Sequence, residues 1–177
     1  ASNPEDNEET AAVSVTIENA KLTGDLNSSG FGSVTVDNTT ITGNVDKTGT
    51  GSMSVIESTI NGNVTKGETN SGSLGFVNSE IQGTQAPENN GTNGVTYVNT
   101  KVDGELQNTE LADKVAMIGG TTYETLTEAI DAATDGQTIV LLAPITNDNY
   151  GTADTTKGNT MLYVDKSITI DGNGQSI

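Results

Sequence analysis

The chain has 177 residues, a net charge of −17 and seven lysines, with no arginine, histidine, cysteine or tryptophan. It therefore offers no imidazole or thiolate as base, nucleophile or zinc ligand, and no guanidinium to clamp a carboxylate or phosphate. The acidic excess repels polyanions, which argues against nucleic-acid partners, and no stretch approaches the ~18 consecutive apolar residues that span a bilayer.

Residues 1–12 carry Glu5, Asp6, Glu8 and Glu9 with no basic residue, the composition of a disordered acidic linker. The given sequence shows no export signal, and its polar, acidic start reads as a tether left when one has been removed. A lipid-bearing Cys ahead of Ala1, or a wall anchor, would fit such a start.

From Ser14 to Asp113 one pattern is written five times, starting at Ser14, Ser33, Ser52, Ser73 and Gly94, 19 or 21 residues apart. A fixed period of this length marks a stacked repeat in which no copy can bury its apolar face alone. Val15, Val34, Met53, Leu74 and Val95 fill one apolar column, and Ile17, Val36, Val55, Phe76 and Tyr97 fill another two places on. Spacing of two predicts strands. Further columns follow at Leu22, Ile41, Ile60, Ile81 and Val102, and at Leu26, Val45, Val64 and Leu106, with Gln85 as the exception.

Two corners separate the strands. Asn19, Asn38, Glu57, Asn78 and Asn99 hold the first, where asparagine tolerates left-handed backbone angles and its amides can bond from copy to copy. Gly24, Gly43, Gly62, Gly83 and Gly104 mark the second, where a residue without Cβ accepts positive φ. The pattern predicts five coils of a parallel β-helix over residues 13–113, stacked about 4.8 Å apart into a rod of roughly 24 Å. The connections 27–32, 46–51, 65–72 and 86–93 lie at matching places and would shape a binding face. Gln85 and Pro87 make the fourth coil the least regular.

Residues 114–177 form a different module. Val115 to Tyr123 reads as strand and turn. Thr125 and Glu128 make a capping box ahead of an apolar stripe at Leu126, Ala129, Ile130 and Ala133, with Gly136 as a left-handed cap. The helix spans about 125–135. Thr138 to Ile145 is a strand buried on both faces, MLYV from Met161 and SITI from Ser167 are two more, and Asp171 to Gly174 is a turn.

The order YETLTEAIDAATDGQTIVLL, then DKSITIDGNGQSI, resembles the opening of pectate-lyase-like right-handed parallel β-helix proteins. The resemblance covers residues 118–177 and implies an all-β fold with one short capping α-helix. In that family the helix precedes the first coil. Here it follows five copies of a repeat, so it would either cap the first rod or begin a second, and the pattern at Ile177 is expected to continue in the natural protein.

The resemblance also raises lyase chemistry, which in similar enzymes uses carboxylate-held calcium and a basic residue. The seven lysines are read as sharing no column except Lys21 and Lys101. Glycoside hydrolysis needs two carboxylates ~5–9.5 Å apart, but Asp25 lies in the first coil and Asp103 and Glu105 in the fifth. Calcium at Asp165 and Asp171 is conceivable, although turn chemistry explains DGNG. Asn27, Asn38, Asn63 and Asn90 begin Asn-x-Ser/Thr triplets, as chance allows in so Asn- and Thr-rich a chain. Ser14 with Thr16, Ser33 with Thr35, and Ser52 with Ser54 would form an outward hydroxyl array.

No catalytic or cofactor-binding residue is assigned. The composition resembles that of exported bacterial surface proteins. The expectation is a monomeric, non-catalytic structural or adhesive module, extracellular or at the cell surface, that binds surface glycans or proteins without inserting into a membrane. The alternative is a fragment of a polysaccharide lyase or glycoside hydrolase whose active site lies elsewhere.

Overall fold

The computed structural model describes residues 13–67, 72–87, 94–152 and 162–177. The acidic segment 1–12, much of the 65–72 and 86–93 connections, Asn90 and Met161 lie outside them. The repeat region is a parallel β-solenoid of about four turns.

Its first three coils each contribute three strands: β1 (Val15–Glu18), β2 (Lys21–Leu22) and β3 (Leu26–Ser28); β4 (Val34–Asp37), β5 (Thr40–Ile41) and β6 (Val45–Lys47); β7 (Met53–Ile56), β8 (Thr59–Ile60) and β9 (Val64–Lys66). The fourth coil contributes β10 (Leu74–Val77) and β11 (Glu80–Ile81), and the fifth contributes β12 (Val95–Val98) and β13 (Thr100–Val102). Like strands stack in parallel, with Val15 opposite Val34, Val34 opposite Met53, Met53 opposite Leu74, and Leu74 opposite Val95. The aligned columns of the sequence are thus the register of the sheet. The aliphatic columns close on one another as a core running from Val36 to Tyr97, and near its far end the Phe76 and Tyr97 rings stack with centroids 5.1 Å apart.

The glycine corner works differently from the expectation. Gly24 and Gly104 take positive φ, but Gly43, Gly62 and Gly83 do not. They are glycines because a Cβ on each would lie about 2.5 Å from the carbonyl of the corner one coil back. The first corner behaves as read, since Asn19, Asn38, Glu57, Asn78 and Asn99 all sit at φ 43 to 53.

Two columns also correct themselves. Gln85 is exposed, and Ala86 turns into the core in its place. Leu106 does not continue its column. Asp103 and Gly104, both at positive φ, form the two-residue turn that favours hairpins, so β14 (Glu105–Gln107) folds back antiparallel on β13. Leu106 is left exposed. Asn108 and Thr109 then run along the outer edge of β12, where the Thr109 amide donates to the Tyr97 carbonyl and the Tyr97 amide to Thr109 Oγ1. The fifth copy therefore closes the rod instead of completing a coil.

The second module contains β15 (Ala116–Ile118), β16 (Thr121–Tyr123), α1 (Leu126–Ala132), β17 (Thr138–Leu141) and β18 (Thr169–Asp171). Its sheet has the order β16-β15-β17-β18, with β17 and β18 parallel. Residues 162–164 form no strand, contrary to the reading of MLYV. The capping box is formed by Thr125 and Glu128. The helix ends at Ala133 in extended conformation, and Gly136 at φ 78 belongs to the following turn. Lys166 Nζ donates to the Ile130 and Asp131 carbonyls at the helix end, supplying charge where the dipole is negative.

Alternation within this sheet fixes where the module sits. Ala116, Ile118, Ile139 and Leu141 face the helix stripe. Met117 and Val140 face the other way, onto Ile56 and Val77, which lie on the outer side of the solenoid's first sheet. The module therefore lies along the side of the rod, sheet on sheet, and the helix covers the far face of the module's own sheet.

Candidate functional site

The columns that could present chemistry are mostly engaged by neighbouring coils. Asn38 Nδ2 donates to Asn19 Oδ1 at 2.8 Å, and Asn99 Nδ2 to Asn78 Oδ1 at 2.8 Å. Glu57 interrupts this ladder. On the module side, Asn173 Oδ1 accepts from Asn78 Nδ2 at 2.7 Å. A second ladder runs beside the first. The amides of Ala20, Thr39, Ser58 and Ser79 donate to the hydroxyls of Thr39, Ser58, Ser79 and Thr100 respectively. These hydroxyls are buried, and each satisfies a corner amide that would otherwise be orphaned. The column was visible in the sequence as small hydroxylated residues after the Asn.

Asp25 is structural as well, since its Oδ1 accepts the Asn44 amide at 2.7 Å. Asn44 and Asn63 repeat that contact one and two coils on. Asp103 and Glu105 lie on the closing hairpin, and the fold does not bring them to Asp25. Asp171 Oδ1 accepts the Asn173 amide at 2.8 Å in an Asx turn. Among the described residues, no three Asp or Glu side chains converge as cation ligands. Of the glycosylation triplets, Asn38 and Asn63 are held in ladders, and Asn27 faces solvent.

The hydroxyl array faces outward as expected but is largely covered. Thr35 Oγ1 donates to Thr138 Oγ1 at 3.3 Å, the Gly119 amide to Ser54 Oγ at 3.1 Å, and Thr96 Oγ1 to the Gly120 carbonyl at 2.6 Å. Gln137 Nε2 reaches Ser33 Oγ and Ser52 Oγ at 2.9 and 3.1 Å. This flat face is an internal seam.

Two electrostatic features were not read from the sequence. Lys47 and Lys66 do share a column, being register partners on β6 and β9. Lys47 is fully buried, and its ammonium donates to the Gly49 carbonyl. Burial, with Lys66 beside it, lowers its pKa to about 8. The second feature is the end of the first sheet, where Asp37 meets Asp171 of the module. Burial raises the Asp37 pKa, and Asp171, Glu57 and Glu18 raise it further.

Among the described residues, the first coil leaves several apolar side chains exposed. Val13, Val15, Phe31 and Val34 line a hollow of about 520 Å³ there, together with the loop 27–33. Phe31 is 85% exposed and Val15 47%, whereas the residues stacked on Val15 in later coils, from Met53 onward, are buried. The family models, the curated proteins and the solved structures contain no significant match to the chain.

Proposed function

We propose that this chain is a non-catalytic structural and adhesive module of an exported bacterial surface protein, which holds surface glycans or proteins through the loops and end of a stiff rod. One observation carries the reading. The polar columns, which a catalytic solenoid would aim at substrate, are here bonded coil to coil or sealed under the second module. Such ladders fix register and stiffness.

A carbohydrate-active enzyme whose active site lies outside these residues is the second reading. It is supported by the parallel pairing of β17 with β18 after a capped amphipathic helix, the order that resembles the pectate-lyase-like superfamily. Glycan-array binding and incubation of the chain with uronate and neutral polysaccharides test both readings. Saturable binding without new reducing ends or unsaturated products is expected, and turnover would overturn the first reading.

A further inference from the structure

The column of the rod that receives the second module changes character from coil to coil. In register it reads Glu18, Asp37, Ile56, Val77 and Val98. Ile56 and Val77 are buried against Met117 and Val140 of the module. In the module's sheet Val140 is the parallel partner of Asp171 on β18, and paired residues project from the same face of a sheet. Asp171 therefore faces the rod as Val140 does, and Asp37 faces the module as its partner Ile56 does. Across the seam, the apolar contact of Ile56 with Val140 gives way to two half-buried carboxylates, Asp37 and Asp171.

The charges around Asp37 share one sign. Burial raises its pKa, and Asp171 of β18, Glu57 at the corner after β7 and Glu18 of β1 raise it further, against the Asn38 amide, which lowers it. No lysine acts on it, so ionising both members of the pair sets like charges together in a partly desolvated seam. Asn173 fastens the strand end that carries Asp171. Its Nδ2 donates to the Leu141 carbonyl at 3.0 Å, and its Oδ1 accepts from Asn78 Nδ2 at 2.7 Å. Asn38 and Asn99 spend the same donor on the asparagine one coil back. Behind Asn78 stands Glu57, and the donor goes to the module instead.

We propose that this corner is an acid-closed clasp, in which a proton taken up between Asp37 and Asp171 draws the end of β18 and the 171–174 turn onto the rod. Ionisation of both carboxylates loosens the corner while the apolar half of the seam stays seated. The closed corner binds the proton more tightly than the open one, so closing takes a proton up. The clasp is therefore tightest below the ordinary carboxyl value of 3.8 and slackens as pH rises through the raised value that Asp37 has in the fold. The coil-to-coil ladders are built of neutral amides and hydroxyls, so the rod itself keeps its register as the corner responds.

Hydrogen exchange followed by NMR tests the clasp from about pH 4.5 to 7.5, each rate being compared with that of an unstructured chain at the same pH. The side-chain amides of Asn78 and Asn173 are expected to lose protection about twofold or more as pH rises. The Met53 backbone amide, bonded to the Ser73 carbonyl inside the rod, should keep its own. Asp37→Asn and Asp171→Asn preserve shape and remove one charge of the pair, so either should hold the corner closed across the range, with circular dichroism verifying that both fold. Asn173→Ala cuts the tie to Asn78 and should lower the Asp37 pKa in a carboxyl titration, because the coupling between proton and clasp is reciprocal. Protection of Asn78 and Asn173 that does not change with pH in the parent chain overturns the proposal. A loss that persists in both Asp→Asn variants overturns it by placing the effect on Glu18 or Glu57, and an equal loss at Met53 does so by showing a general loosening of the fold.

Discussion

The carbonyl oxygen of Gly119 occupies the space a side chain at Gly75 would need, because a Cβ on Gly75 would lie 1.9 Å from it. Gly75 stands in the column that holds Thr35, Ser54 and Thr96 in other coils. Here the module's backbone descends onto the rod. Gly75→Ser, which restores the repeat, is expected to push the hairpin turn at Gly119 off the sheet and cost about 1–3 kcal/mol. Urea unfolding followed by circular dichroism measures the loss. An unchanged midpoint would mean the module is not seated as described.

Glu57 holds a left-handed conformation, φ 46, in a column otherwise made of asparagine. Its carboxylate cannot donate to Asn38 as an amide would, and it adds to the charge that raises the Asp37 pKa. Glu57→Asn is expected to join the two ladder segments and stabilise the rod by about 1 kcal/mol, since asparagine adopts this conformation with less strain. Thermal unfolding reads the gain. Carboxyl titration by NMR should show Asp37 moving down toward its ordinary value.

Ser58 both accepts the Thr39 amide at 3.0 Å and donates to the Ile56 carbonyl at 2.6 Å. Ser58→Ala leaves that amide buried without a partner and should cost about 1–3 kcal/mol. Ser58→Thr should be tolerated, because threonine fills the same column at Thr39 and Thr100. Comparing the two unfolding midpoints separates the hydroxyl from the volume. Equal midpoints for Ser58→Ala and the parent chain would remove the ladder's energetic role.

Lys47 titrates near 8 in the fold against 10.5 in the open chain. Between those values the unfolded chain binds the proton and the folded one does not, so stability rises with pH across the window. Below about pH 8 both states are protonated, and the fold carries the whole cost of the buried ammonium, at most about 3 kcal/mol. Burial raises the Tyr97 pKa, which makes stability fall once free tyrosine begins to ionise, so pH 7 to 9.5 is the range to scan. Over it the parent chain should gain stability, and Lys47→Met should start higher and rise less steeply, keeping only the smaller rise that burial of Lys66 supplies. Parallel pH profiles for the two would show that Lys47 is not the group responsible.

The closing hairpin marks how far the repeat was legible. Asp103 and Gly104 were read as another corner because Gly104 falls in the glycine column. Asp-Gly is also the signal for a two-residue hairpin, and with no sixth coil to stack on, the local preference prevails. In the fourth coil, shifting one residue brings Ala86 to the core in place of Gln85, which a column alignment without gaps cannot show. The Lys47–Lys66 pair needed only closer counting.

Period and alternation by themselves determined the parallel stacking, the register, the asparagine corner and the capped helix, because each depends on neighbours in the chain or on the identical place one repeat away. The seat of the second module was decided by tertiary structure. Whether its sheet caps the rod, begins another or lies along its side depends on which two apolar faces meet. Met117 and Val140 find Ile56 and Val77 through contacts that no periodicity encodes. The same packing turned the hydroxyl array from a surface into a seam.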